Sequence, residues 1–173
     1  MSIKTIGVAW LLAASLLPAA AHAQAGGVTA PTRAISTPDL KNLQAYMRQS
    51  RRDVVAQNLR LTPDEARRFW PVYDRYAADQ AKIKDVQYAM IADYAKTYGK
   101  YDDKAASVFI ARWLDLDMKS ISLRTRYLPQ VGKALPGIKA ATFFQIDRRI
   151  NMAIDLKITQ LVPFLQDQKT LAR

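Results

Sequence analysis

From Phe69 to Tyr94 the apolar and aromatic positions recur at alternating steps of four and three. They are Phe69, Tyr73, Tyr76, Ile83, Met90 and Tyr94, with Gln80 and Gln87 filling two places in the same stripe. This spacing is that of a helix packed nearly antiparallel against a neighbour. The two glutamines predict a seam that is partly wet or open. The preceding residues, Leu61-Thr62-Pro63-Asp64-Glu65, form the strongest helix-start signal in the chain. Thr62 and Glu65 have capping-box spacing, Pro63 suits the first helical position, and Asp64 and Glu65 face the positive end of the helix dipole. A helix from Pro63 to about Tyr98, closed by Gly99, would be roughly 50 Å long at 1.5 Å per residue. A bend is expected at Pro71.

Three further helices follow from the same kind of pattern. Leu40, Leu43, Met47, Val54 and Leu61 mark one face of a first helix, begun by Thr37-Pro38-Asp39. The third is capped by Asp102 or Asp103 and carries two stripes. One runs Phe109, Trp113, Leu116, Ser120, Leu123, Tyr127; the other runs Ile110, Leu114, Ile121, Leu128. So wide an apolar arc predicts two neighbours. Pro129 should bend it near its end, and Leu135-Pro136-Gly137 is a turn. The fourth starts near Ile138 and buries Phe143, Ile146, Ile150, Ile154, Ile158, Leu161 and Leu165, with Pro163 interrupting it. No strand alternation occurs. The fold read from this is all-α and elongated, four helices with two of them long, in antiparallel hairpins over a single domain at 37–173.

The residues before that domain carry a different signal. Lys4 precedes an uncharged apolar run from Ile6 to Leu17, and Ala21-His22-Ala23 offers a small-residue cleavage site. The run is too short to cross a bilayer, which takes about 20 residues. We read residues 1–23 as a secretory signal cut between Ala23 and Gln24. Residues 24–36, with Gly26, Gly27 and Pro31, read as a flexible tether, and the destination is the periplasm.

Cleavage narrows the available chemistry. The one histidine, His22, leaves with the signal, and the chain has no cysteine. No imidazole or thiolate is left for a zinc, copper or haem site, and no disulfide forms. No calcium loop or glycine-rich phosphate loop occurs. Met47, Met90, Met118 and Met152 each lie on a different helix and read as core filling. No serine has a histidine base, and Asp115 and Asp117 diverge on a helix. We read no enzyme, no cofactor and no metal site.

Charge points to partners instead. Of 26 basic and 15 acidic groups, the signal removes only Lys4, leaving 25 against 15. An exported basic protein meets acidic or unfolded polypeptides and anionic membrane surfaces, not nucleic acid. Arg48, Arg51, Arg52, Arg60, Arg67 and Arg68 cluster around the first turn and form the candidate basic face. Trp70 and Tyr88 lie off the main seam and are candidates for an adjoining apolar patch. Packing against the first helix is the alternative for both.

An exported basic helical chain with Leu61-Thr62-Pro63-Asp64-Glu65 at a helix start resembles the Spy/CpxP family of periplasmic stress proteins, whose hallmark is L-T-x-x-Q. Glu65 stands where that motif has glutamine, and no second copy of the motif occurs. Phe69-Trp70-Pro71-Val72-Tyr73, Leu135-Pro136 and Phe143-Phe144-Gln145-Ile146-Asp147 also resemble uncharacterised exported helical proteins of proteobacteria. The resemblance implies a thin curved cradle, commonly a homodimer, that holds unfolded envelope proteins without ATP. The second reading is a regulator docking on one membrane sensor domain, and a metal-sensing helical protein ranks last. One expectation is tested directly: N-terminal sequencing of protein recovered from periplasm should begin at Gln24, and an intact Met1 on membrane-bound material would contradict it.

Overall fold

The computed structural model describes residues 37–160 and 162–167. The proposed signal, the Ala23–Gln24 cleavage site, the tether and Leu161 lie outside these. So do the side chains of Thr37, Asp39, Leu40, Leu43 and Met47. The described residues form four helices, α1 Thr37–Asn58, α2 Pro63–Thr97, α3 Asp103–Ala134 and α4 Gly137–Thr159, followed by a short 3-10 turn at Leu165–Asp167. No strand occurs among them, and no described helix is long and apolar enough to cross a membrane.

The helix ends follow local chemistry. Thr62 caps α2 as expected: its Oγ1 accepts from the Glu65 backbone N–H at 3.3 Å, and Glu65 Oε2 accepts from the Thr62 N–H at 2.7 Å. Asp102 caps α3, accepting from Ala105 N–H at 2.7 Å. Gly99 takes φ 91°, the left-handed conformation that lets the chain turn out of α2. Both α2 and α3 continue through their internal prolines, Pro71 and Pro129.

Side-chain contacts set the helix directions. Along α2 and α3, Arg68 meets Ala134, Tyr76 meets Tyr127, and Tyr94 meets Phe109, so one number falls as the other rises. The same holds for α1 and α2, where Arg48 reaches Asp85, Arg51 reaches Gln80 and Arg52 reaches Asp74. Both pairs are antiparallel hairpins. Across the bundle, Phe69 meets Phe143, Tyr76 meets Asp147 and Lys84 meets Asp155, so α2 and α4 run in the same direction.

The core is divided in two. One cluster packs Val55, Leu59, Phe69, Tyr73, Tyr76 and Phe143 with Leu123, Tyr127 and Val131. A smaller one joins Tyr88, Ile91, Ile154 and Ile158. Between them lies a buried polar layer of Arg51, Gln80, Asp147 and Asn151. The expected α2 seam is therefore present, but Gln80 and Gln87 do not open it. Each is only 4% exposed, and Gln80 is bonded within the layer.

The cap of α2 is also tied to α4, because Lys139 Nζ donates to Glu65 Oε2 at 2.5 Å. That hydrogen bond, with the Thr62 backbone donor, outweighs burial and holds the Glu65 carboxyl below its ordinary value of 4.5. A lowered folded-state pKa adds stability above the unfolded value, and the gain is lost as pH falls through the folded value. Thermal melts from about pH 7 to about pH 3 should therefore show the gap between wild type and Glu65→Gln narrowing below about pH 4.5. A gap constant across that range would contradict the linkage.

Candidate functional site

The basic cluster around the first turn is largely neutralised by nearby acids. Arg48 pairs with Asp85, Arg52 with Asp74 and Arg67 with Asp64. Arg68 Nε donates to the Ala134 carbonyl at 3.3 Å. Arg60 is exposed and makes no ion pair among the described residues. Only some of the six arginines thus present free charge. The 270 Å³ cavity between α1 and α2 is bordered by Arg48, Arg52 and Lys84, each with its own acid partner.

Arg51 requires a correction. Expected on the exposed face, it is 9% exposed and belongs to the buried layer. Its Nη1 donates to Asp147 Oδ1 at 2.8 Å and to Gln80, and its Nη2 donates to Asn151 Oδ1 at 3.0 Å. On the other carboxylate oxygen, Asp147 Oδ2 accepts from Tyr76 at 2.8 Å, Arg124 Nε at 3.0 Å and Asn151 at 3.0 Å. Burial opposes the charge on Arg124, but the hydrogen bond and charge of Asp147 more than offset it and raise its pKa. Burial, then the charge of Asp147, pushes the Tyr76 hydroxyl far above its ordinary value, so it stays a donor.

Trp70 and Tyr88 also settle inward. The Arg52 guanidinium lies 4.2 Å from the Trp70 ring centroid, so Trp70 is half-buried against α1. Tyr88 is 7% exposed within the smaller core cluster. Neither forms the apolar patch considered for it. Burial first, opposed by the charges of Arg51 and Arg52, pushes the neighbouring Tyr73 hydroxyl up to about 12.

Most of the exposed large apolar side chains among the described residues lie elsewhere, on α3 and α4. Phe109 and Trp113 are half-buried, and Leu116, Leu123 and Tyr127 face the core. As its wide arc predicts, α3 contacts two helices, α2 and α4, but those contacts leave much of its second stripe uncovered among the described residues. Ile110, Leu114, Ile121 and Leu128 remain more than half exposed, as does Met118. Steps of four, seven and seven keep the four stripe residues within a narrow sector of the helix, over roughly 27 Å. On α4, Met152 and Leu156 are each 60% exposed. Between the helices runs a groove of 540 Å³ lined by Ile121, Leu128, Phe144, Met152, Arg124 and Arg148, among others. Arg148 makes no ion pair among the described residues. The pattern of α3 already carried this signal, in an apolar arc wider than one partner can cover. Asp147 and Asn151 were missed because polar residues on an apolar helix face reveal no partners until the helices are assembled.

Among the described residues no group of three or more His, Cys, Asp or Glu comes together as a metal site. No protein-family model, curated protein or solved structure matches the chain.

The different placements of Arg51 and Arg52 predict different outcomes on substitution. Arg51→Ser strands Asp147 without one of its cations and should cost about 3–5 kcal/mol. Arg52→Ser removes an exposed ion pair and one ring contact and should cost about 1 kcal/mol or less. Urea unfolding of the two single variants measures both. Equal losses would contradict the burial assigned to Arg51.

Proposed function

We propose that this chain is an exported, ATP-independent client-binding protein that holds unfolded envelope polypeptides on the α3–α4 face. The observation that carries the reading is the stripe Ile110, Leu114, Ile121 and Leu128, more than half exposed among the described residues. Soluble monomers rarely leave large contiguous apolar patches exposed, and such patches commonly mark interaction sites. An open apolar groove suits side chains exposed by unfolding and demands no single sequence. Arg148 at the groove and the net positive charge of the chain favour acidic clients and speed their encounter. The Spy/CpxP resemblance of the α2 start points the same way. The contact surface proposed here differs from the first-turn basic face, because most of those arginines are paired or buried.

The test is suppression of aggregation of several unrelated, chemically denatured proteins, one of them strongly acidic. Wild-type protein should delay aggregation of all of them, most strongly the acidic one at low salt. The double variant Ile121→Asp, Met152→Asp should lose most of this effect. Its folding stability should stay within about 1 kcal/mol of wild type, since both side chains are mostly exposed. Full protection by the variant, or retention of one partner with no effect on any unfolded protein, would overturn the proposal.

A further inference from the structure

A third hollow lies at the tip of the α2–α3 hairpin. Its volume is 530 Å³, within the roughly 300–1,000 Å³ range of ligand sites. The wall combines Met90, 3% exposed, with Tyr101, Ala105, Val108 and Phe109. Lys100, Lys104 and Arg112 stand around it. None of the three makes an ion pair among the described residues. The two acids at the rim are already engaged: Asp93 lies 3.7 Å from Lys96, and Asp102 is the cap of α3. This hollow therefore couples apolar side chains to three cations that make no ion pair among the described residues and outnumber its two acids, whereas those beside the α1–α2 cavity are each paired with an acid.

We propose that the hairpin tip binds a single-chain anionic amphiphile, an alkyl carboxylate whose chain lies against Met90, Val108 and Phe109 and whose head meets Lys100, Lys104 and Arg112. Three cationic donors lining one hollow favour an anion, because charge-assisted hydrogen bonds are stronger than neutral ones. An apolar chain follows from Met90, Val108 and Phe109, whose surfaces offer it burial. A neutral alcohol of equal length would satisfy the wall but not the cations, and a small inorganic anion would do the reverse. The site is separate from the α3–α4 groove and does not depend on the client-binding reading.

The experiment is titration calorimetry of the full chain with decanoate, kept below its micelle concentration, beside decanol and acetate. Vesicles of anionic phospholipid form a second arm, because an acyl anion can come from solution or from a membrane. Decanoate should bind in solution, with decanol and acetate each weaker by roughly tenfold or more. Lys104→Glu with Arg112→Glu should weaken decanoate by a similar factor, while Lys133→Glu, at the opposite end of α3, should leave it unchanged. All three positions are exposed, and unchanged melting temperatures would exclude misfolding. Vesicle binding lost in the same double variant would support a membrane source for the same ligand. Equal binding of decanoate and decanol, no effect of the double variant, or binding to vesicles alone would overturn the proposal.

Discussion

Asp147 lies 2% exposed in the middle of the bundle and gathers donors from all four helices. Arg51 comes from α1, Tyr76 and Gln80 from α2, Arg124 from α3, and Asn151 from one turn further along α4. A lone carboxylate at this depth would be strongly unfavourable, so the anion requires its partners and the partners require it. Apolar packing fixes helix direction only loosely, because leucines and tyrosines tolerate sliding. A carboxylate bonded on both oxygens does not tolerate a shift of one turn. The layer therefore sets the register of the bundle, while the clusters on either side supply most of the burial.

That arrangement also accounts for the uneven surface. Large side chains of α2 and α4 meet across the bundle, and α3 contributes one stripe, Leu116, Leu123 and Tyr127, to the buried interior. Its second stripe stays more than half exposed among the described residues. Long α2 and α3 also continue beyond the polar layer into a hairpin whose tip is held by ring contacts, Tyr94 with Phe109 at 4.7 Å and Phe109 with Trp113 at 5.8 Å. The chain thus leaves apolar surface on one flank and a cationic hollow at one end. Much of its arginine charge is spent internally or against nearby acids.

Helix starts were legible because their signals are local, whereas Leu61 falls past the end of α1 at Asn58 and Leu165 past the end of α4 at Thr159. Thr62, Pro63 and Glu65 act within one turn, as do Asp102 and Gly99, and each appears where its chemistry puts it. The α2 seam was legible because its period is regular over seven turns. What failed were readings of single polar side chains whose partners lie far away in sequence. Arg51 looks like its neighbours Arg48 and Arg52 in sequence, and only Asp147, 96 residues away, distinguishes it. Gln80 looked like a gap in the seam because its partners lie on α1 and α4. The wide arc of α3 correctly implies two neighbours, α2 and α4, but an apolar arc reports capacity to pack and not how fully the partners cover it.

The most direct measurement is a double-mutant cycle between Arg51 and Asp147, using Arg51→Met, Asp147→Leu and the double variant in urea unfolding. If the layer sets the register, each single change strands a buried charge or its donors, and the double change is less harmful than their sum. The expected coupling is about 1–3 kcal/mol in that direction. Losses that add within about 0.5 kcal/mol would contradict the account, because the two side chains would then not be acting on one another.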